Sequence, residues 1–320
     1  MSSTTEREKQ APRPVRRPGD RIFEGLSTSA GILILLTLLG VAIFLTLEGL
    51  PGITASPDDL GGKTGGKNFF AYVWPLVFGT VWAAVIALLI AVPVAIGVAL
   101  YISHYAPRRL SSTLGYVIDL LAAVPSVVYG LWGLLFLSRE LAPFYQWLAD
   151  HLGFIPFFAG NPSGGVSANS ILTASLVLAV MVLPIITAIC REIFLQTPRL
   201  HEEAALALGA TRWEMVRLSV FPYARSGIVS ASMLGLGRAL GETMAVAMVL
   251  SASGVVTFNL IGSTNPSTIA ANIALQFPEA FGTFTNVLIA TGLVLFVITF
   301  AANFVARAIV ERRKDFSGAN

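Results

Sequence analysis

Six stretches of this 320-residue chain are apolar for about the twenty residues that a helix needs to cross a hydrocarbon layer, at 26–47, 76–102, 114–137, 171–189, 228–250 and 286–309. Soluble domains carry about a quarter charged residues. This chain is 55% hydrophobic and only 12% charged, more apolar surface than a water-soluble core can hide. Lipid is therefore its solvent. In lipid the backbone must satisfy its own polar groups, which leaves helices for runs of this length. An all-α, polytopic membrane protein with six transmembrane helices is expected. Pro93, Pro125 and Pro184 fall inside three of the stretches, where kinks are expected. The first stretch is too long for a signal-peptide core and lacks a small-residue cleavage site.

Six crossings put both termini on one side, and basic residues say which. The tail before the first span (1–25) holds Arg7, Lys9, Arg13, Arg16, Arg17 and Arg21. Arg108 and Arg109 follow the second span; Arg191, Arg199, Arg212, Arg217 and Arg225 flank the loop at 197–222. Arg307, Arg312, Arg313 and Lys314 close the last span and its tail (311–320). The opposite loops hold Lys63, Lys67 and Arg139, so the split is seventeen against three and the termini are expected in the cytoplasm. The opposite loops, 50–68, 157–169 and 251–283, are rich in Gly, Pro, Ser and Asn and read equally as solvated linkers or as a partner surface. The single cysteine, Cys190, rules out a disulfide within the chain and a cysteine metal cluster.

One polar island interrupts the greasy sequence, at 203–222. Thr197 and Pro198 open a first short helix with Glu202 and Glu203 near its positive end, and Gly209 suits a left-handed stop. Thr211 and Glu214 have capping-box spacing for a second, which Pro222 is expected to end. Glu203-Ala204-Ala205, Gly209 and Pro222 also stand at the spacings of the cytoplasmic "EAA" loop of ABC-transporter permeases, which this stretch resembles. Ser219 and Phe221 replace the Ile and Leu usual there. The resemblance implies a coupling helix that seats in a separate ATPase subunit. Without it, the island reads as an ordinary amphipathic connector.

A lone cation, Arg238, stands in the middle of the fifth apolar stretch, with Glu242 four residues on and on the same face if one helix continues through both. A charge at mid-membrane costs on the order of 2.5–3.5 kcal/mol on insertion scales. Pairing offsets part of that, yet a buried ion pair is a poor stabiliser. A cavity or a subunit interface explains it better than a polar clamp does. The planar guanidinium fork suits oxyanions. Gly237 and Gly241 make a small-xxx-small step expected to admit a neighbouring helix.

The stretch 235–246, GLGRALGETMAV, together with 20–26, 171–194 and 268–280, resembles PstC-type permeases of the phosphate-specific ABC importer over nearly the whole chain. That resemblance implies a type I (MetI-like) permease domain over 26–310 with its core at about 76–310, in the bacterial plasma membrane. It implies phosphate passage at Arg238 and Glu242, with Thr243 beside them. It also implies a PstA-type permease partner, a PstB-type ATPase dimer and a PstS-type phosphate-binding protein. The residues alone show only a cation suited to an anion, so a permease for sulfate, molybdate or phosphonate, or an autonomous secondary transporter, stays open. Gly61-Gly62-Lys63-Thr64 lacks the first glycine and the strand of a P-loop, so ATP is expected on the partner and no cofactor on this chain. His201-Glu202-Glu203 is not a zinc-hydrolase signature, and no nucleophile–base set is visible; the chain is not expected to be an enzyme.

Overall fold

Alanine recurs every four residues along the second apolar stretch, and this repeat sets the centre of the bundle. The computed structural model describes residues 18–57, 64–161 and 165–314. In α2 (Phe69–Leu100), Ala87, Ala91, Ala95 and Ala99 are fully buried. Lipid provides little hydrophobic drive between helices, so close backbone approach must supply the attraction. The alanine stripe lets α6 (Ile171–Leu195) lie against α2, the most extensive helix pair in the molecule. Pro93 and Pro184 are accommodated inside these two helices.

The first helix, α1 (Pro18–Thr54), is exposed along almost all its length. It touches the rest mainly through α12 (Thr283–Lys314), with a smaller contact to α2 near its C-terminal end. A Cβ at Gly52 would collide with the Asn286–Val287 backbone, and Asn286 Nδ2 donates to the Glu48 carbonyl at 2.7 Å. The contact therefore depends on glycine.

The third apolar stretch is not one rod. Between α3 (Arg108–Ala122) and α4 (Ser126–Trp132) the chain turns by 90°, and a π-helical turn at Gly133–Leu137 leads into α5 (Ser138–Leu152). Proline disfavours helix at the residue before it. Val124 accordingly leaves the helix, and Pro125 stands in extended geometry just before α4, where a kink within one helix was expected.

Beyond α6 come α7 (Arg199–Ala207), α8 (Arg212–Met215), a π turn at Val216–Val220, α9 (Phe221–Leu240), α10 (Met244–Val249) and α11 (Ile269–Gln276). Pro198, not Thr197, is the residue before α7, and it makes no side-chain cap. Contrary to the expectation from sequence, Pro222 does not end the second short helix. α8, the π turn and α9 run without interruption from Arg212 to Leu240. Proline lacks an N–H and its ring crowds the carbonyl four residues back. The wider π turn just before Pro222 accommodates both defects.

Four helices among the described residues are long and apolar enough to cross a membrane, or five if the bent α3/α4–α5 pair is one crossing. The expected count of six is not confirmed, since the stretch at 228–250 is broken at Gly241–Thr243. The tails at 1–17 and 315–320, Lys63, and the Gly61-Gly62-Lys63 motif lie outside the described residues, as do the side chains of Arg312, Arg313 and Lys314.

At the end of α6 away from α7, the loop after α10 folds back into the bundle around a fully buried asparagine. Asn265 Oδ1 accepts from the Ile171 amide at 3.1 Å, while Nδ2 donates to the carbonyls of Ser251 and Gly262, both at 3.1 Å. This satisfies backbone groups that irregular chain would otherwise leave unpaired in a dry interior.

Candidate functional site

Arg238 enters the interior because α9 is built to give it space. One face of α9 presents Ser230, Met233, Gly237 and Arg238 to a hollow of about 720 Å³, closed on another side by Asn303 and Arg307 of α12. The Arg238 guanidinium is half-buried, and its Nε is buried with no hydrogen-bond partner. Among the described residues it forms no ion pair. It lies within electrostatic reach of Tyr129, whose hydroxyl donates to the Leu121 carbonyl at 2.8 Å.

The expected Arg238–Glu242 pair on one helical face is not formed. α9 closes at Leu240, and Gly241 caps it with its amide on the Gly237 carbonyl. Glu242, only 9% exposed, falls in the break and accepts from the Ala245 amide at 3.1 Å. Its carboxylate thus sits at the positive end of the next helical segment, a favourable place for an anion. Thr243 Oγ1 donates to the Gly241 carbonyl at 3.2 Å, within the same break. Arg238, Glu242 and Thr243 are neighbours along the chain, but only Arg238 lines the hollow.

The glycine seam also differs from expectation. A Cβ at Gly237 would meet nothing within 4 Å, and at Gly241 only the Gly237 carbonyl at 3.5 Å, so among the described residues no second helix closes on either. The close approaches on α9 occur at Gly227, where a Cβ would come within 2.5 Å of Ile193 Cδ1, and at Gly235, where one would come within 2.7 Å of Ile186 Cδ1, as α6 crosses α9. These positions lie on the face of α9 that meets α6, whereas Gly237 leaves room beside Arg238.

A second surface is formed by the polar island. Ala204, Ala205 and Gly209 come together with Glu214 and Arg217 around an open hollow of about 830 Å³, with Glu203 exposed nearby on α7. Gly209 has φ +87°, the left-handed stop that its position suggested. The Gly209 amide donates to the Leu206 carbonyl at 3.0 Å, and the Ala210 amide to the Ala205 carbonyl at 3.2 Å. This bond pair is a Schellman closure. The Thr211–Glu214 capping box is fully formed, and its bonds hold the Glu214 carboxyl below the usual range. Leu208 stands 91% exposed at the tip, an apolar knob that spacing alone did not single out. α7 buries no residue, so this chain does little to hold it. Two tethers fix its base. His104 Nε2 faces Glu202 Oε1 at 3.4 Å, and Ser219 Oγ donates to the His201 carbonyl at 3.1 Å. α7 is thereby tied to the foot of α2 and to the π turn leading into α9.

Among known proteins, residues 91–315 match the model of the binding-protein-dependent transport system inner membrane component family. The phosphate transport system permease protein PstC 2 of Mycobacterium tuberculosis is 45% identical over 93% of this chain and 93% of its own length. PstC of Mycobacterium leprae is 42% identical over 92% of this chain and 94% of its own length. PstC of Mesorhizobium japonicum is 38% identical over 94% and 92%, respectively. Among solved structures, a bacterial ABC transporter involved in alginate import aligns with a TM-score of 0.54 at 16% identity, over 90% of this chain and 99% of that one. The inward-facing MetNI methionine ABC transporter aligns at 0.50 and 18% identity, over 75% and 93%. At these identities the two structures speak for the fold alone, a MetI-like ABC permease. With a family model spanning most of the chain and relatives at this identity and coverage, the chain belongs to the binding-protein-dependent transport system inner membrane components, in their PstC branch.

Proposed function

We propose that this chain is the membrane permease subunit of an ATP-driven importer of inorganic phosphate. The observation that carries the reading is the Arg238 guanidinium, set in an open hollow of the bundle without an ionic partner among the described residues. A permanent cation kept without a counter-charge in so apolar a setting is suited to receiving an anion. The names of the relatives specify phosphate as that anion.

In this reading a PstA-type permease completes the pathway, a PstB-type ATPase dimer grips the 197–222 loop, and a PstS-type receptor delivers phosphate from outside. The termini and the loop face the cytoplasm of a bacterial cell, consistent with the seventeen-to-three distribution of basic residues. ATP binds to the ATPase, and this chain supplies path and lever. The lever has a structural basis, since α8, the π turn and α9 are continuous from the loop to Arg238. A displacement of α7 passes through the Ser219–His201 tether into that helix and changes the surroundings of the guanidinium.

The test is uptake of radiolabelled phosphate into vesicles holding the full complex with Arg238→Ala. Transport is expected to fall to background while the subunits still co-purify. Normal high-affinity uptake, or gradient-driven flux through this chain alone without ATP, rejects the reading. Competition by sulfate or molybdate at equal strength moves the substrate to another oxyanion.

A further inference from the structure

The cavity holds a second guanidinium. Arg307, which reads from sequence as one more cytoplasmic charge, lines the same hollow as Arg238 from the opposing helix α12. Asn303, one turn earlier on the same face, joins it there. By position along their helices, the two arginines stand at different distances from the ends that the charge rule assigns to the cytoplasm. Arg238 lies seventeen residues beyond the start of α9, which by helical rise is about 26 Å into the helix. Arg307 lies seven residues, or about 10 Å, before the end of α12. The wall between them on α9 is a continuous face, Ser230, Met233 and Gly237, with no side chain at Gly237 to obstruct passage. An Arg at the mouth merely obeying the charge rule could point to water on any face of α12. This one faces the hollow, and an amide side chain beside it adds neutral donors.

Resting on the phosphate reading above, we infer that Arg307, with Asn303, forms a second holding station for a tetrahedral oxyanion, taking the ion from Arg238 on its way to the cytoplasm. Two stations avoid a difficulty inherent in one. A single deep cation that binds a divalent anion well also retains it, whereas a second cation nearer the exit draws the ion onward. Each guanidinium offers paired N–H donors in a plane that matches two oxygens of the ion.

A phospholipid headgroup carries the same phosphate chemistry, so the experiment separates the two sources. The complete complex is purified with Arg307→Ala, Arg307→Lys and Arg238→Ala, and phosphate uptake in vesicles is measured with direct binding of radiolabelled inorganic phosphate in detergent. For Arg307→Ala the concentration for half-maximal uptake is expected to rise about tenfold or more, the scale of one lost charge-assisted contact. Detergent binding should weaken in parallel, with ATP hydrolysis retained. Arg307→Lys should recover part of the loss, since charge remains and the fork does not. Should Arg307→Ala fail to assemble, the Lys variant decides, and wild-type values there overturn the inference. It is also overturned if Arg307→Ala shifts uptake less than twofold, or if the defect exists in vesicles and is absent in detergent, which assigns the residue to a lipid headgroup. A neutral Arg238→Ala instead defeats the phosphate reading itself, and the two failures are thereby distinct.

Discussion

Gly209 allows the proposed coupling role of the polar island to be tested through a single backbone angle. Its φ of +87° lies where an L-residue with a Cβ is strained, and a Cβ placed there meets nothing within 4 Å. Substitution by alanine therefore changes conformational preference and adds no clash. The left-handed region costs such a residue about 1–2 kcal/mol. α7 fully buries no residue, so packing within this chain does little to oppose that cost. A free energy of that size shifts the population of the closed Schellman geometry by a factor of roughly 5–30. Asparagine adds the same Cβ but tolerates left-handed geometry better. In the reconstituted complex, the ratio of phosphate transported to ATP hydrolysed should fall several-fold for Gly209→Ala and stay near wild type for Gly209→Asn. Gly282, at φ +59° and also without neighbours, supplies the control, and Gly282→Ala should leave the ratio unchanged. Equal ratios for the Ala and Asn variants would refute the claim that geometry at the helix end governs coupling. An equal loss at Gly282→Ala would show a global effect instead.

Further expectations follow from the same chemistry. Asn265→Ala removes the partner of the Ile171 amide and of two loop carbonyls, each costing about 1–3 kcal/mol if left unpaired. The thermal midpoint of the purified complex should drop clearly, with transport lost in proportion to folded protein. The Glu214 carboxyl is held below its usual range by bonds from Thr211, so its contribution to the cap is present at neutral pH and above the unfolded pKa. That contribution is lost as pH falls through the lowered folded value. Coupling should therefore weaken on acidification, and Thr211→Ala should remove that part of the pH dependence. Leu208→Ser leaves the fold untouched, since the side chain is 91% exposed, but should reduce co-purification with the ATPase.

The two candidate surfaces were legible to different degrees. The Gly209 stop and the Thr211–Glu214 box follow from bonds between residues a few positions apart, and local sequence states them completely. Arg238 was conspicuous because a charge in an apolar run is costly wherever it points. Its surroundings were not legible. The supposed partner Glu242 belongs to the next helical segment, because Gly241 closes α9 one residue earlier. The packing glycines proved to be Gly227 and Gly235, since the face turned toward α6 depends on how two helices cross and not on spacing within one. The break at Pro125 and the absorption of Pro222 into a π turn show one residue type ending a helix in one place and passing through it in another.

From its apolar runs, the sequence by itself determined that this chain lives in lipid as a set of helices. From its polar island it determined a pair of capped short helices closed at Gly209. Both follow from interactions that are local or simply proportional to composition. Tertiary structure alone decided which helices touch, how many crossings stay unbroken, and that Arg307 shares a hollow with Arg238 sixty-nine positions away. The reason is geometric. Hydropathy and capping act within a turn or two of chain, whereas a cavity belongs to the space between helices and exists only after their close-packed faces have been chosen.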